Sequence, residues 1–256
     1  MKISIITAVF NNRRYIEDCI KSVLNQTYEN IEYIIVDGGS TDGTLEVIKR
    51  YEDKISIWIS EPDGGIYDAM NKGIGMATGD VVGFLHSDDF YADERVIENV
   101  AKAFIRNNVQ SVYGDLIYVN KNNSRVIRYW RAGGYREGLI NWGWMPPHPT
   151  FFVRREVYEN YGSFNTNLKI AADYELVLRL FGKQKISTYY IPKVLIKMRM
   201  GGSSNRNIKS IIRKSMEDYQ ALKINGLGGG VFTLLFKNVS KIPQFFNTNG
   251  KREDRE

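Results

Sequence analysis

The sequence predicts an α/β protein: a mostly parallel central sheet flanked by helices, with a helical extension at the C-terminal end. Three observations carry that expectation. Short β-branched apolar runs alternate with segments of helical period through the first 85 residues, the pattern of strands joined by crossover helices. Polar residues rather than two-residue hairpin turns close these runs. A chain of 256 residues that is 43% hydrophobic and 25% charged can bury a sizeable core in one large domain with a tail.

The run Ile3 to Val9 (ISIITAV) is the first strand. Asn11 and Asn12 behind it can cap a helix whose apolar residues Ile16, Ile20, Val23 and Leu24 fall at helical spacing. Ile31 to Asp37 (IEYIIVD) repeats the strand signal, GGSTDGT turns the chain, and Leu45, Ile48 and Tyr51 mark a second helix. Ile55 to Ser60 is a third strand and residues 66–77 a third helix, with Ile66, Met70, Ile74 and Ala77 in phase. Val81 to Leu85 is a fourth strand. In open sheets of this kind ligands bind beyond the carboxyl ends of the strands.

Those ends carry an unusual share of polar groups. Asn11 follows the first strand, Asp37 closes the second, Glu61 and Asp63 follow the third, and His86, Asp88 and Asp89 follow the fourth. Each is weak alone, since an Asp before Gly-Gly is commonly a turn former. Together they outline an acidic site. The first turn, TAVFNNRRY, has no glycine, so the dinucleotide fingerprint is missing, and no Walker-type Gly-Lys-Ser/Thr occurs. A phosphate-bearing ligand would instead be answered by a divalent cation, Mg²⁺ or Mn²⁺, on Asp88 and Asp89, because hard carboxylate oxygens suit those ions.

Four stretches, in order, carry a family resemblance: ISIITAVFNN with YIEDCIKSVLNQTY, then IEYIIVDGGSTDGT, DGGIYDAMNKGIGMATGDVVGFLHSDD and FNTNLKIAADYELVLRL. The sequence resembles inverting glycosyltransferases of the GT-A (Rossmann-like) fold, family 2, the bacterial group that builds O-antigen, capsule and exopolysaccharide. The likeness spans residues 1–200 and implies a nucleotide-sugar-binding half, 1–90, an acceptor half, 91–200, and a basic amphipathic extension, 201–256.

The resemblance also implies roles. Thr7, Ala8 and Phe10 match a strand end that lies against the nucleotide base, Asp37 an aspartate that bonds the uracil ring, and Asp63 a contact to the nucleoside half of a UDP-sugar. His86, Ser87, Asp88 and Asp89 fill an Asp-x-Asp-Asp motif, with Asp88 and Asp89 as ligands of the Mn²⁺ or Mg²⁺ that bridges the donor diphosphate. His86 departs from the usual Asp, which alters the ribose contact. Asp173 matches the general base, and Ala172 replaces the commoner Glu before it. On the residues alone, Asp173 reads equally well as the cap of a helix carrying Leu176, Leu180 and Phe181. The implied reaction is transfer of a hexose or N-acetylhexosamine to a saccharide acceptor, carried on a polyprenyl diphosphate lipid.

The middle of the chain is less regular. SVYGDLIYVNKNNSRVIRYW reads as a hairpin around Asn122 and Asn123. Trp142, Trp144 and Tyr135 can stack on sugar rings or fill the core. His148 can be a turn residue, a hydrogen-bond donor to a phosphate or a further metal ligand, and the resemblance favours a site role. MRMGGSSNR, Met198 to Arg206, is either a lid over a diphosphate or a linker.

Charge is unevenly placed. From Lys197 onward twelve Lys/Arg face five Asp/Glu, a net of +7 within a total of +6. Ile208, Ile212, Ser215, Tyr219 and Leu222 share one helical face there, and LGGGVFTLLFKNVSKIPQFF is apolar between lysines. This segment suits peripheral contact with a membrane surface, or burial against the domain or in a dimer. A nucleic-acid partner is not expected, because phosphate contacts need positive charge at the site. A glycosidase would set two carboxylates across a sugar rather than side by side. An inactive nucleotide-sugar-binding protein remains the alternative, and it would have no need of Asp173. The single Cys19 excludes a disulfide framework and fits a reducing compartment. With no apolar leader before a small-residue cleavage site and no apolar run of about 18 residues, the expected location is cytoplasmic, in peripheral contact with the inner membrane face if the tail binds lipid.

Overall fold

A computed structural model describes residues 1–200, 208–227 and 230–239. The first half alternates as the periodicity predicts: β1 (Ile3–Val9), α1 (Ile16–Leu24), β2 (Ile31–Asp37), α2 (Thr44–Lys49), β3 (Ile57–Ser60), α3 (Ile66–Met76) and β4 (Val81–Phe84). β1 lies in the centre and pairs in parallel with β2 and β4, while β2 pairs in parallel with β3. The register sets Val9 beside Asp37, Asp37 beside Ser60, and Ile6 beside Phe84, so the strand ends form one edge.

The second half closes the sheet. It contains β5 (Phe90–Tyr91), α4 (Val96–Asn107), β6 (Ser111–Val119), β7 (Val126–Trp130), β8 (Phe152–Arg154), α5 (Arg155–Tyr161), α6 (Ala172–Val177), β9 (Thr188–Arg199), α7 (Ile208–Ile224) and α8 (Gly230–Val239). The strand order is β3-β2-β1-β4-β8-β6-β9-β5, with β7 added on β6. Here β8 runs antiparallel to β4 and β6, whereas β6 and β9 run parallel. The expected hairpin is the β6–β7 turn, where Asn120 Oδ1 accepts the Ser124 and Arg125 amides and Asn123 takes a left-handed φ of 54°.

Alternation along the strands divides the core in two. Ile3, Ile5 and Val9 of β1 pack with Ile16 and Ile20 of α1, Val47 of α2 and Phe104 of α4 on one face. Ile6 and Ala8 face the other way, onto Met70 of α3 and the α6 layer. At Gly73 a Cβ would lie 2.4 Å from Ile6 Cγ2, so α3 rides directly on β1. Ala221 and Leu222 of α7 are buried in that second core. α7 therefore docks through residues 217, 218, 221 and 222, while Ile212 and Tyr219 of the sequence-derived stripe look outward. The stripe is split because polar residues, not apolar ones, meet the loop before α6.

Candidate active site at the carboxyl edge of the sheet

Three loops are tied together at the strand ends. Asp37 is fully buried; its Oδ2 accepts the Gly39 and Ser40 amides (3.1 and 2.9 Å) and the Ser60 hydroxyl (2.7 Å), and its Oδ1 accepts the Ser40 hydroxyl. The Asn11 amide donates to Ser40 Oγ, and Asn11 Oδ1 accepts the Thr41 amide. Asn12 Nδ2 donates to Ser87 Oγ at 2.8 Å. Thus Asn11 and Asn12 bridge loops; the helix cap expected of them is absent, and α1 begins after Tyr15 without a side-chain cap. The carboxylate implied for a uracil contact spends both oxygens on the turn, so in this structure Asp37 shapes the edge from beneath.

The open face beside that turn is made by Phe10, Gly38 and Asp63. Phe10 is 63% exposed. A Cβ at Gly38 would lie 2.6 Å from Asp63 Oδ2 and 3.4 Å from the Phe10 ring, so the Asp63 carboxylate occupies the space that a side chain at 38 would need. Asp63 Oδ1 accepts the Gly65 amide at 2.8 Å. Thr7 is not brought to this face. Its hydroxyl points into the α1 layer, 3.2 Å from the Tyr33 hydroxyl and 3.7 Å from Cys19 Sγ. Ala8 is buried in the opposite core.

After β4 the two adjacent acids part. The Asp89 amide bonds back to the His86 carbonyl at 2.9 Å, a tight turn that puts Asp89 inside and leaves Asp88 partly exposed. Asp89 Oδ1 accepts the Arg199 amide (3.2 Å) and its buried Oδ2 has no partner among the described residues. Burial first, and the neighbouring Asp88 charge second, push its carboxyl well above the usual range. The Arg199 side chain, 8% exposed, reaches the Asp88 carbonyl (3.0 Å) and Asp18 and stacks over Tyr15 and Phe90. That residue locks the turn. The rest of the proposed lid, 201–206, lies outside the described residues.

Asp173 is half-buried and one residue inside α6, whose N-cap is Ala171. Its Oδ1 accepts the Tyr174 amide (2.8 Å) and the Tyr67 hydroxyl (3.2 Å); its Oδ2 takes no hydrogen bond from the described residues. Tyr67, on α3, also donates to the Ile170 carbonyl at 2.9 Å. Burial, then the Asp173 charge, raises the Tyr67 phenol far above its usual value, which keeps it a donor. One turn along α3, Asn71 pairs both its amide groups with the Phe164 backbone at 2.9 Å.

His86 feels both acids: burial lowers its pKa while the charges of Asp88 and Asp173 pull it up. The His148 ring lies 6.2 Å from it, stacked on Phe84 and edge-on to Phe164. Burial brings His148 down to about 4, a neutral imidazole whose buried Nε2 has no partner among the described residues. No three of the described His, Cys, Asp and Glu side chains are gathered as a ready metal cage. The donor set nevertheless fits a Mg²⁺ or Mn²⁺ ion, which commonly binds through one or two carboxylates and completes its shell with substrate phosphate and water. Asp88 is the accessible carboxylate, and the orphaned Asp89 Oδ2 and His148 Nε2 are the further candidates.

Of the aromatic residues in the middle segment, Trp144 and Tyr135 belong to the core, packed with Phe181 and, for Trp144, Tyr113. Trp142 is 61% exposed and meets Phe236 of α8 edge-on.

A curled sheet, parallel through its N-terminal half and carrying acids at its carboxyl edge, defines the GT-A class. The fold is shared with S. aureus TarS (residues 1–349, in complex with UDP-GlcNAc) at a TM-score of 0.72 and 18% identity, over 99% of this chain and 77% of that one. The mannosyltransferase PcManGT from Pyrobaculum calidifontis, in complex with GDP-Man and Mn²⁺, gives 0.66 at 17%, over 96% and 73%. Residues 4–162 match Glycosyl transferase family 2. A PGL/p-HBAD biosynthesis glycosyltransferase of Mycobacterium bovis is 32% identical over 208 residues, 79% of this chain and 78% of its own. Chondroitin synthase of Pasteurella multocida is 33% identical over 181 residues, 70% of this chain but 18% of its own. The chain belongs to glycosyl transferase family 2 and is a glycosyltransferase of the GT-A fold.

Tyr67, Asn71 and Glu217 belong to no motif that points to the site. The first two share the i, i+4 face of α3 within DGGIYDAMNKG, a signal the sequence does carry; nothing local marks Glu217.

Proposed function

We propose that this chain is an inverting glycosyltransferase that moves a hexose or N-acetylhexosamine from a UDP-sugar to a lipid-linked saccharide during surface polysaccharide synthesis. The observation that carries the reading is the Asp173 carboxylate, one oxygen fixed by Tyr67 and the other open, close enough to His86 to act on it together with the accessible Asp88. Asp173 Oδ2 accepts the proton of an acceptor hydroxyl as that oxygen bonds to the anomeric carbon. The bond from that carbon to the diphosphate breaks on the far side, the electron pair leaves with UDP, and configuration inverts. A divalent cation at Asp88, when bound, supplies Lewis-acid stabilisation to the departing diphosphate. His148 Nε2 is the candidate for a further protein ligand, while Asp89, turned inward, would hold the turn that presents Asp88. Phe10 offers an aromatic face to the base, Asp63 an acceptor for its ring N–H or the ribose, and His86 and Ser87 line the path between. Asp37 acts through the turn it holds. UDP-GlcNAc on TarS supports a UDP-sugar donor, and the PGL/p-HBAD and chondroitin relatives support lipid-borne or polymeric acceptors.

The reading includes peripheral contact with an anionic membrane surface at the cytoplasmic face. No helix among the described residues is long and apolar enough to cross a membrane. Yet Ile212 and Met216 of α7 and Phe232, Leu235 and Phe236 of α8 are all exposed, 46–72%, on a basic segment. Such a patch suits an interfacial position, and flotation with anionic vesicles tests it.

The deciding experiment measures UDP and GDP release from a panel of nucleotide sugars with Mn²⁺ and a lipid-linked acceptor. One UDP-sugar should turn over with the wild type. Asp173→Asn should stop transfer while donor affinity, by calorimetry, stays within about two-fold. Near-normal turnover in that variant would remove Asp173 as the base, and donor binding without turnover in the wild type would favour the inactive binding protein.

A further inference from the structure

We propose that Glu217, on the C-terminal helix α7, is a positioning residue for Asp173, so that the extension completes the active site; this rests on the reading of Asp173 as the base. α6 runs without a break into the helical turns Leu178–Lys183, but its N-cap, Ala171, makes no side-chain cap, so nothing on its own stretch of chain fixes how the segment before it enters. Glu217 holds that entering segment: its Oε2 accepts the amides of Ile170 (2.7 Å) and Ala171 (3.1 Å). Its Oε1 accepts Arg213 Nε at 2.9 Å, and the residue is 7% exposed. Burial opposes its ionisation, but the backbone amides and Arg213 outweigh burial and hold its pKa below the usual value. The bonds are therefore made to a carboxylate, the stronger kind.

The same segment is gripped from the other side. Tyr67 of α3 donates to the Ile170 carbonyl and to Asp173 Oδ1. The backbone that leads into Asp173 is thus pinned by its N–H groups to α7 and by its carbonyl to α3. Further anchors fix how α7 lies along α6. Asn225 Nδ2 donates to Glu175 Oε1 at 3.2 Å, and Lys237 of α8, 2.9 Å from Asp218, sits over the Tyr174 ring next to the base. Among the anchors from α7 and α8, the Glu217 pair is the one that reaches the peptide groups leading into Asp173, the same peptide whose carbonyl Tyr67 holds. A base misplaced by about 1 Å can lose about a hundred-fold in rate.

The test uses the full chain with Glu217→Ala and Glu217→Gln. Transfer is expressed per donor-binding site, counted by calorimetric stoichiometry so that unfolded protein does not enter. Glu217→Ala should lower kcat about 10- to 100-fold with donor Kd and acceptor KM within about three-fold. Glu217→Gln should restore most of that loss, because its amide oxygen still accepts both N–H groups. In an Asp173→Asn background Glu217→Ala should cost nothing further, since a positioning effect needs the base it positions. If Glu217→Ala yields no donor-binding protein, Glu217→Asp, which withdraws the carboxylate by one methylene, is read in the same way. Wild-type kcat per site in Glu217→Ala, or Glu217→Gln no better than Ala, would overturn the inference. Full transfer by Asp173→Asn alone would instead overturn the reading of the base, a result distinct from either.

Discussion

Tyr67 and Asp173 are 106 residues apart, and the Tyr67 hydroxyl lies 3.2 Å from Asp173 Oδ1 while also bonding the Ile170 carbonyl at 2.9 Å. One phenol thereby fixes both the carboxylate and the peptide that carries it. Its position follows from Gly73, whose bare backbone lets α3 lie close enough to β1 for Tyr67 to reach across the core.

Tyr67→Phe removes that donor and keeps the ring stacked on Phe164. A hydrogen bond to a charged group is worth about 1.5–3 kcal/mol, so kcat should fall about ten-fold or more. Donor affinity should hold. Steady-state transfer and calorimetry measured side by side check this, and an unchanged kcat would show that Asp173 is oriented without Tyr67.

Asp88 and Asp89 should separate on mutation, because the turn exposes one and buries the other. Asp88→Ala should weaken Mn²⁺-dependent UDP binding about a hundred-fold or more with little change in unfolding temperature. EDTA should do the same to the wild type. Asp89→Ala should lower the unfolding temperature, because the Arg199 amide loses its acceptor. Equal UDP affinity with and without the cation in the wild type would contradict the assignment.

Gly38→Ala is a purely local test of the nucleoside face. The backbone at 38 has no positive φ, so Ala fits the conformation and only its Cβ matters. That atom must displace the Asp63 carboxylate. UDP should bind about five-fold more weakly, the loss of roughly 1 kcal/mol from one misplaced polar contact, with the thermal midpoint nearly unchanged. Unaltered UDP affinity would take Asp63 away from the nucleoside.

Stability should depend on Glu32 in acid. Its carboxyl, 4% exposed on β2, accepts Lys2 Nζ, the Ser4 hydroxyl and both the amide and hydroxyl of Thr78. Burial pushes its pKa up, but those bonds outweigh burial and bring it down to about 2. A pKa below the unfolded value of about 4.3 means stability that is full above that pH and lost as the pH falls toward 2. Unfolding free energies of wild type and Glu32→Gln should differ by on the order of 2 kcal/mol at neutral pH, allowing for solvent screening of the exposed Lys2. The gap should close between about pH 4.3 and about pH 2. A gap independent of pH would mean that charge on Glu32 contributes nothing.

Much of the fold is legible because it is written in local period. The runs at Ile3, Ile31 and Val81 are strands, and Ile16, Ile20 and Val23 mark a helix, since each side chain's face is set by its own backbone repeat. The acids at the strand ends are legible for the same reason: once the strands are placed, so is the edge. Which way each acid points is not. Asp37 turns under its loop, Asp89 turns in and Asp88 out, and these choices depend on Ser60 and Arg199, which lie far along the chain.

The sequence by itself determined the class of fold and the edge at which the strands end in acids. Tertiary structure alone decided which oxygen of Asp173 is open, that Asp63 takes the room left by Gly38, and that a helix from the extension holds the segment before Asp173. The reason is physical. Periodicity records only what a residue does to its own neighbours in the chain, whereas Tyr67, Glu217 and Arg199 act on groups that become neighbours only when the two cores pack against the sheet.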